Sequence, residues 1–343
     1  MRQRLVLLVL FFLTPVLVLL AAGTGSYHIP PESVLQAFMA GLTEQDLSKT
    51  ESAYVLWHLR FPRIGMALVV GAALGMAGTS MQGLFRNPLV SPGLIGISAG
   101  ATTFVALSFV FGGIWIQGLT GFWGGFGISM IGFSGAMITL FLAWHLARRA
   151  KGNPTLNLIL TGIALTAIAE SIVGLSQYLA TETQLRSILH WQLGSLSGAT
   201  YPKLLVLISV TAPAAFLLWT LVPGLNALAL GEENAMALGI PLNALRKKVL
   251  IGAALLVGST VAFTGIIAFV GLVVPHLVRL VTGPDHRYVF PGAALLGANL
   301  LLLADTLARN LHHTQEIPLS ILTALMGAPF LLYLMFRNHS SHA

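Results

Sequence analysis

The chain has 343 residues, 56% hydrophobic and 8% charged, whereas a soluble surface needs roughly 25% charged side chains, so a soluble enzyme or nucleic-acid-binding domain is excluded. Lipid must be its main solvent, and the net charge of +7 is then a matter of membrane topology. The absence of cysteine excludes disulfides, thiolate metal sites and thiol nucleophiles.

Nine apolar stretches follow in chain order, at 5–22, 64–83, 94–112, 125–145, 155–178, 203–222, 249–265, 290–308 and 318–336. Each approaches the ~20 residues that cross the hydrocarbon. The first follows Arg2 and Arg4 and ends in Leu20-Ala21-Ala22-Gly23, a pattern that cleaved leaders share; its length suits a span, and we read it as one. Nine spans would separate the termini, yet both are basic, with Arg2 and Arg4 at one end and Arg337 and His339 at the other. The positive-inside rule therefore calls for an even number. Residues 266–281 supply the tenth span, short and broken around Gly271 and Pro275.

Ten spans sort the charges. Arg2, Arg4, Arg86, Arg148, Arg149, Lys151, Arg246, Lys247, Lys248, Arg279, Arg287 and Arg337 fall inside; Lys49, Arg60, Arg63, Arg186, Lys203 and Arg309 fall outside. That is twelve of the 18 basic residues on the cytoplasmic side. A faint repeat at an offset of 187 residues aligns Leu68, Val70, Gly71, Gly78 and Pro88 with Leu255, Val257, Gly258, Gly265 and Pro275, in opposite orientations.

Polar residues at membrane depth mark candidate chemistry, since one charge at the bilayer centre opposes insertion by ~2.5–3.5 kcal/mol. Within the spans the acids are Glu170, flanked by Thr166 and Ser171, and Asp305, one helical turn from Arg309. Glu170 either faces a watery pathway or is satisfied by those hydroxyls; Asp305 suits an ion pair with Arg309. Two acids are a thin basis for proton coupling, and no phosphate-binding Gly-rich loop with a Lys-Ser/Thr ending occurs, so nucleotide would have to bind a partner. Two prolines and flanking glycines make 82–94 an ordered turn, not a continuous helix. Residues 226–248 form the largest cytoplasmic segment, in which 230–239 reads as a short amphipathic helix stopped at Gly239 and Pro241. Its acidic Glu232 and Glu233 beside Ala235, Met236 and Leu238 favour docking to protein over anionic lipid. Arg60, Arg63 and Arg309 stand at outer helix ends, as snorkelling anchors or as receivers of a partner's carboxylates. The outer histidines, His28, His58, His190, His312 and His313, are scattered as inert loop residues usually are.

Several motifs together resemble the FecCD-type permease family, the membrane subunits of type II ABC importers for iron-siderophores, haem and cobalamin. They are Leu59–Arg63 (LRFPR), Met81–Leu89 (MQGLFRNPL), Pro92–Gly100, Trp191–Ser195, Leu230–Gly239, Phe269–Arg279 (FVGLVVPHLVR), Gly283–Arg287, Leu302–Asp305, Glu316–Ser320 and Gly327–Pro329. The resemblance implies an all-α, polytopic fold of ten spans making a single transmembrane domain over residues 1–343. It implies a homodimer in the bacterial inner membrane with both termini cytoplasmic, two ABC ATPase subunits beneath and one periplasmic substrate-binding protein above. ATP and Mg would sit on the ATPase, leaving this chain no cofactor, no metal and no catalysis. By resemblance, Arg60, Arg63 and Arg309 receive the binding protein. Asn87 and Leu89 with Thr155 and Leu156 form the cytoplasmic gate, Leu156 standing where the cobalamin relative has a small polar residue. Residues 228–240, with Gly231, Glu232, Glu233, Ala235 and Gly239, couple to the ATPase, and Glu170 is a candidate pathway residue. The expected cargo is haem or a ferric siderophore, with cobalamin as the alternative within the family and a proton-coupled secondary transporter as the alternative outside it.

Overall fold

The computed structural model describes residues 1–25, 27, 29–42, 51–112, 126–311 and 316–339, and among them every regular element is a helix. Seven helices are long and apolar enough to cross a membrane: α1 (Arg2–Gly23), α3 (Glu51–Phe85), α5 (Gly127–Arg149), α6 (Pro154–Leu179), α8 (Tyr201–Thr220), α11 (Leu242–Thr264) and α13 (His286–Asn310). They take the places of the expected first, second, fourth to seventh and ninth spans. Three further apolar helices occupy the remaining places: α4 (Ile97–Phe111), α12 (Val270–Thr282) and α14 (Leu319–His339, of which Leu319–Leu332 counts as a shorter apolar stretch). Short helices complete the set: α2 (Pro31–Leu42), α7 (Glu182–Gln192), α9 (Val222–Ala229) and α10 (Glu232–Ala237).

Glycine builds the centre of the bundle. α3 lies at the middle, antiparallel to α13 and packed most extensively against it. At the crossing, a Cβ on Gly71 would overlap the Gly297 carbonyl, and a Cβ on Gly297 would overlap that of Gly71. Further along, Gly75 meets the Ala293 carbonyl and Gly78 that of Gly271. Backbones this close gain dispersion contact that no side chain could permit, which is how helices associate when lipid removes the hydrophobic drive. The repeat partners do not share these roles: Gly78 lies inside a helix, whereas Gly265 ends α11 at φ +70°.

α1 is tied into the bundle at both ends and in the middle. Gln3 donates to the Thr282 carbonyl at 2.6 Å, Asn299 donates to the Leu10 carbonyl at 3.0 Å, and Arg309 reaches the Ala21 carbonyl at 3.2 Å. The expected tenth span is indeed short and interrupted, but the break precedes it. Residues 265–269 leave helical geometry, Phe269 caps α12 in the left-handed region at φ 65°, and Gly271 and Pro275 lie within the helix that follows. Pro275 is the sixth residue of α12, past the free N–H groups of the first turn, so it leaves the Gly271 carbonyl without its usual helical donor.

Two of the short helices carry local start signals in the sequence. Thr181 and Gln184 make a reciprocal capping box, the N-terminal signature of α7. Pro31 opens α2 at a position where its missing N–H is no loss. Lys49, His28, His312 and His313 lie outside the described residues.

Candidate functional site

The bundle has two chemically different ends. At one, the chain before Pro62 widens into a π turn over Val55–Arg60, closed by the Phe61 N–H on the Leu56 carbonyl. Pro62 has no N–H to give the carbonyl one turn back, and the wider turn accommodates that gap. The turn carries Arg60 inward. Arg60 is buried and donates to the carbonyls of Ala22 and Tyr27. Gly25, at φ +146°, passes directly over it: a Cβ there would lie 2.9 Å from an Arg60 nitrogen and 3.7 Å from one of Arg309.

Arg63, one turn further, is also buried. Its Nε donates to both oxygens of Asp305 at 3.0 and 3.1 Å, and its Nη2 to Oδ1 at 2.8 Å. The same guanidinium grips Glu316 through Nη1 and Nη2 at 2.7 and 2.8 Å. Arg309 Nε lies 3.3 Å from Asp305 Oδ2, close enough for an ion pair though not aligned for a hydrogen bond. Asp305 is therefore the hub, paired with Arg309 as its spacing suggests but bonded chiefly to Arg63, a residue 242 positions away. Three arginines against two carboxylates leave one positive charge over, and Arg60 has no acidic partner among the described residues. None of the three is a snorkelling surface anchor: each guanidinium is folded inward onto carbonyls or carboxylates. Glu316 lies on the loop before α14, with its side chain 43% exposed. Burial alone would raise its carboxyl, but the hydrogen bond and charge of Arg63, with Arg309 and His190 beyond, hold it below its ordinary 4.5.

At the opposite end α3 stops at Arg86, which turns left-handed at φ 49°. The Asn87 side chain then accepts from the Leu89 N–H at 2.9 Å, so the 87–89 turn is held by an Asx bond and Leu89 projects, 63% exposed. The following turn, Pro92–Ile95, packs on α6 at Gly162, where a Cβ would overlap the Leu94 carbonyl. α6 begins with Asn153 capping Thr155 and Leu156 at 2.9 and 3.3 Å and Pro154 in the first turn, leaving Leu156 exposed.

α10 sits at this end too. It is bracketed by Gly231 at φ +116° and Gly239 at φ +77°, conformations that disfavour any side chain. The Gly239 and Ile240 N–H groups fold back onto Met236 and Ala235. Ala235 points inward, Glu232 accepts from Arg246 at 2.7 Å, and Leu230, Met236 and Leu238 stand out at 66, 56 and 64% exposure. The helix expected at 230–239 is thus present over Glu232–Ala237, with Ala235 buried and Met236 and the flanking Leu230 and Leu238 facing away from the bundle. Much of 226–248 is helical besides, since α9 ends at Ala229 and α11 begins at Leu242.

A connection that escapes sequence reading joins this segment to the bundle. Asn226 donates to Asp285 at 2.7 Å, while its Oδ1 accepts from the His286 N–H at 3.0 Å and lies 2.8 Å from His286 Nδ1. Asp285 is the N-cap of α13, whose far end carries Asp305 and Arg309. One helix therefore touches both ends.

Glu170 lies between the two ends, on a pocket of about 450 Å³ lined by α4, α6 and α7. The hydroxyls expected to satisfy it do not: Ser171 donates to the Ala167 carbonyl at 2.8 Å, and Thr166 Oγ1 is buried without a partner. Of the outer histidines, His58 stacks on Tyr54 and His190 lines a pocket with Glu316.

Comparison with known proteins converges on one family. The model of the FecCD transport family matches residues 12–337. The chain is 39% identical over 341 residues to the hemin transport system permease protein HmuU of Yersinia pestis, covering 98% of this chain and 97% of that one. It is 39% identical over 285 residues to the vitamin B12 import system permease protein BtuC of Pectobacterium atrosepticum, covering 82% of each. Among solved structures, one described as an inward-facing metal-chelate type ABC transporter superposes with a TM-score of 0.82, at 33% identity over 96% of this chain and 98% of the other. The motifs from Arg60 to Pro329 therefore belong to one continuous match, and this chain is a member of the FecCD transport family of ABC permeases.

Proposed function

We propose that this chain forms, as a homodimer of ten-span subunits, the pathway of an importer that carries haem or a ferric siderophore into the bacterial cytoplasm. The observation that carries the reading is α10. A helix bracketed by glycines exposes Leu230, Met236 and Leu238 at the basic end of the bundle, where a soluble partner can seat it. Two ABC ATPases docked there would supply the energy, with ATP and Mg bound on their side of the contact. Movement of α10 would pass through Asn226 and α13 toward the far end. A periplasmic binding protein would meet that end, its acids drawn by the positive charge left over among Arg60, Arg63 and Arg309. Because Glu316 already occupies Arg63, docking there would exchange one carboxylate for another.

Orientation follows from charge. Arg86, Arg148, Arg149, Lys151, Arg246, Lys247 and Lys248 gather at the α10 end, which supports an orientation with that end and both termini in the cytoplasm. Asn87 and Leu89, with Thr155 and Leu156, would close the pathway on that side. Transport is alternating access, in which nucleotide binding must favour one state over the other.

The test is uptake into vesicles holding this chain with its ATPase and binding protein, comparing haemin, a ferric hydroxamate and cyanocobalamin. ATP-dependent accumulation of an iron chelate is expected. Preference for cyanocobalamin would favour the alternative that the likeness to BtuC supports. Accumulation by the chain alone, driven by a proton gradient and lost in Glu170→Gln, would refute the reading in favour of a secondary transporter.

A further inference from the structure

Among the described residues, Glu170 is the single charged one lining the 450 Å³ pocket between α4, α6 and α7. Among the described residues no cation and no hydrogen-bond donor meets its carboxylate. A bare carboxylate deep in a span is kept only where water or a passing ligand solvates it. Around it stand Ser98 and Thr102 from α4, Thr166 and Gln177 from α6, and Gln192 from α7.

Gln177 donates to the Gln192 carbonyl at 3.2 Å, which leaves the Gln177 carbonyl and the Gln192 amide nitrogen outside that bond, and both side chains line the pocket. Thr166 lines it too, but its Oγ1 is shut away from the open space and has no partner. The pocket also runs on. Gly93, Ser98 and Ile266 line both it and a neighbouring pocket of about 310 Å³ that reaches Phe269 at the helix break. The two adjoining pockets form a groove whose described lining has neutral donors and acceptors, one fixed negative charge and no positive one.

We propose that this groove is a cargo-contact site in which Glu170 selects by charge. It favours metal chelates whose periphery is neutral or cationic and rich in amides or hydroxyls, and disfavours those with peripheral carboxylates. The proposal rests on the importer reading above and narrows its cargo to the siderophore side of that reading, against haem. Chelate amides and hydroxyls find partners in Gln177 and Gln192. A carboxylate edge meets Glu170 with no arginine or lysine in the lining to offset the repulsion.

The experiment is equilibrium binding to the purified chain in nanodiscs, where no binding protein pre-selects the ligand. The probes are cyanocobalamin, with its neutral amide periphery; ferrioxamine B, which is cationic; and haemin, which carries two propionates. Wild type is expected to bind the first two more tightly than haemin. Glu170→Gln should raise haemin affinity relative to cyanocobalamin by about tenfold, and Glu170→Lys by more. Gln177→Glu, which adds a second charge while keeping Glu170, should move the ratio the opposite way and stands as the test if the Glu170 variants do not fold. An unchanged ratio, within about twofold, in the folded variants would overturn the charge filter, as would no saturable binding of any probe to wild type. Loss of ATP-driven uptake in the complete complex, with the binding order intact, would instead count against the importer reading.

Discussion

Replacing Asp305 by alanine removes the hub of the arginine end. In the wild type this fully buried carboxylate accepts three hydrogen bonds from Arg63, at 2.8 to 3.1 Å, and lies 3.3 Å from Arg309. Its loss leaves Arg309 without its close ion-pair partner, with only the more distant charge of Glu316, and Arg63 dependent on Glu316 alone. Breaking a buried pair by deleting one partner costs about 3–5 kcal/mol, because the remaining charge stays desolvated. Glu316→Gln deletes the other carboxylate on the same guanidinium, but that side chain is 43% exposed and its amide oxygen still accepts, so about 1 kcal/mol or less is expected. The two losses should not add, since both act through Arg63. Thermal unfolding in detergent, followed by fluorescence-detected size exclusion for wild type, both single variants and the double, measures the difference. Equal destabilisation by the two single changes, or an Asp305→Ala protein within about 1 kcal/mol of wild type, would refute the assignment of Asp305 as the buried hub.

Other outcomes follow from the same geometry. Because the folded carboxyl of Glu316 is held below its ordinary 4.5, its stabilisation is present above that pH and is lost as pH falls through the lowered folded value. Acid scans should therefore show wild type losing stability below about pH 4.5 more steeply than Glu316→Gln, and parallel curves would remove the linkage. Gly78→Ala puts a methyl into the Gly271 carbonyl and should abolish folded expression, whereas Gly174→Ala, with nothing within 4 Å, should leave it unchanged. Leu238→Asp on the exposed face of α10 should prevent co-purification with the ATPase while leaving thermal stability within about 0.5 kcal/mol; retained ATPase binding would move the contact elsewhere.

How far the sequence carried can be argued from single residues. The α10 helix was legible because its signals are local: Gly231 and Gly239 bracket it, and two acids start it. The Asx turn at Asn87 and the cap at Asn153 are legible for the same reason. Asp305 and Arg309 sit one turn apart, so their pairing is written in the spacing. Nothing in the spacing says that Arg63 holds both Asp305 and Glu316, or that Asn226 joins α9 to the N-cap of α13, because those partners meet only once the helices pack. Glu170 shows the limit from the other side, since its neighbours in sequence left two readings open and only α4 and α7, folded against it, made a pocket.

The sequence by itself determined the solvent and the elements. Apolar length and the glycine and proline punctuation are properties of short stretches, and each acts locally, through the transfer of side chains from water to lipid or through the backbone itself. Tertiary structure alone decided which charges are buried together and which stay bare. That choice depends on helix crossings such as Gly71 on Gly297, where two backbones touch because neither carries a side chain. A crossing fixed at that point aligns Arg63 with Asp305 at one end of α3 and sets His286 against Gly83 at the other.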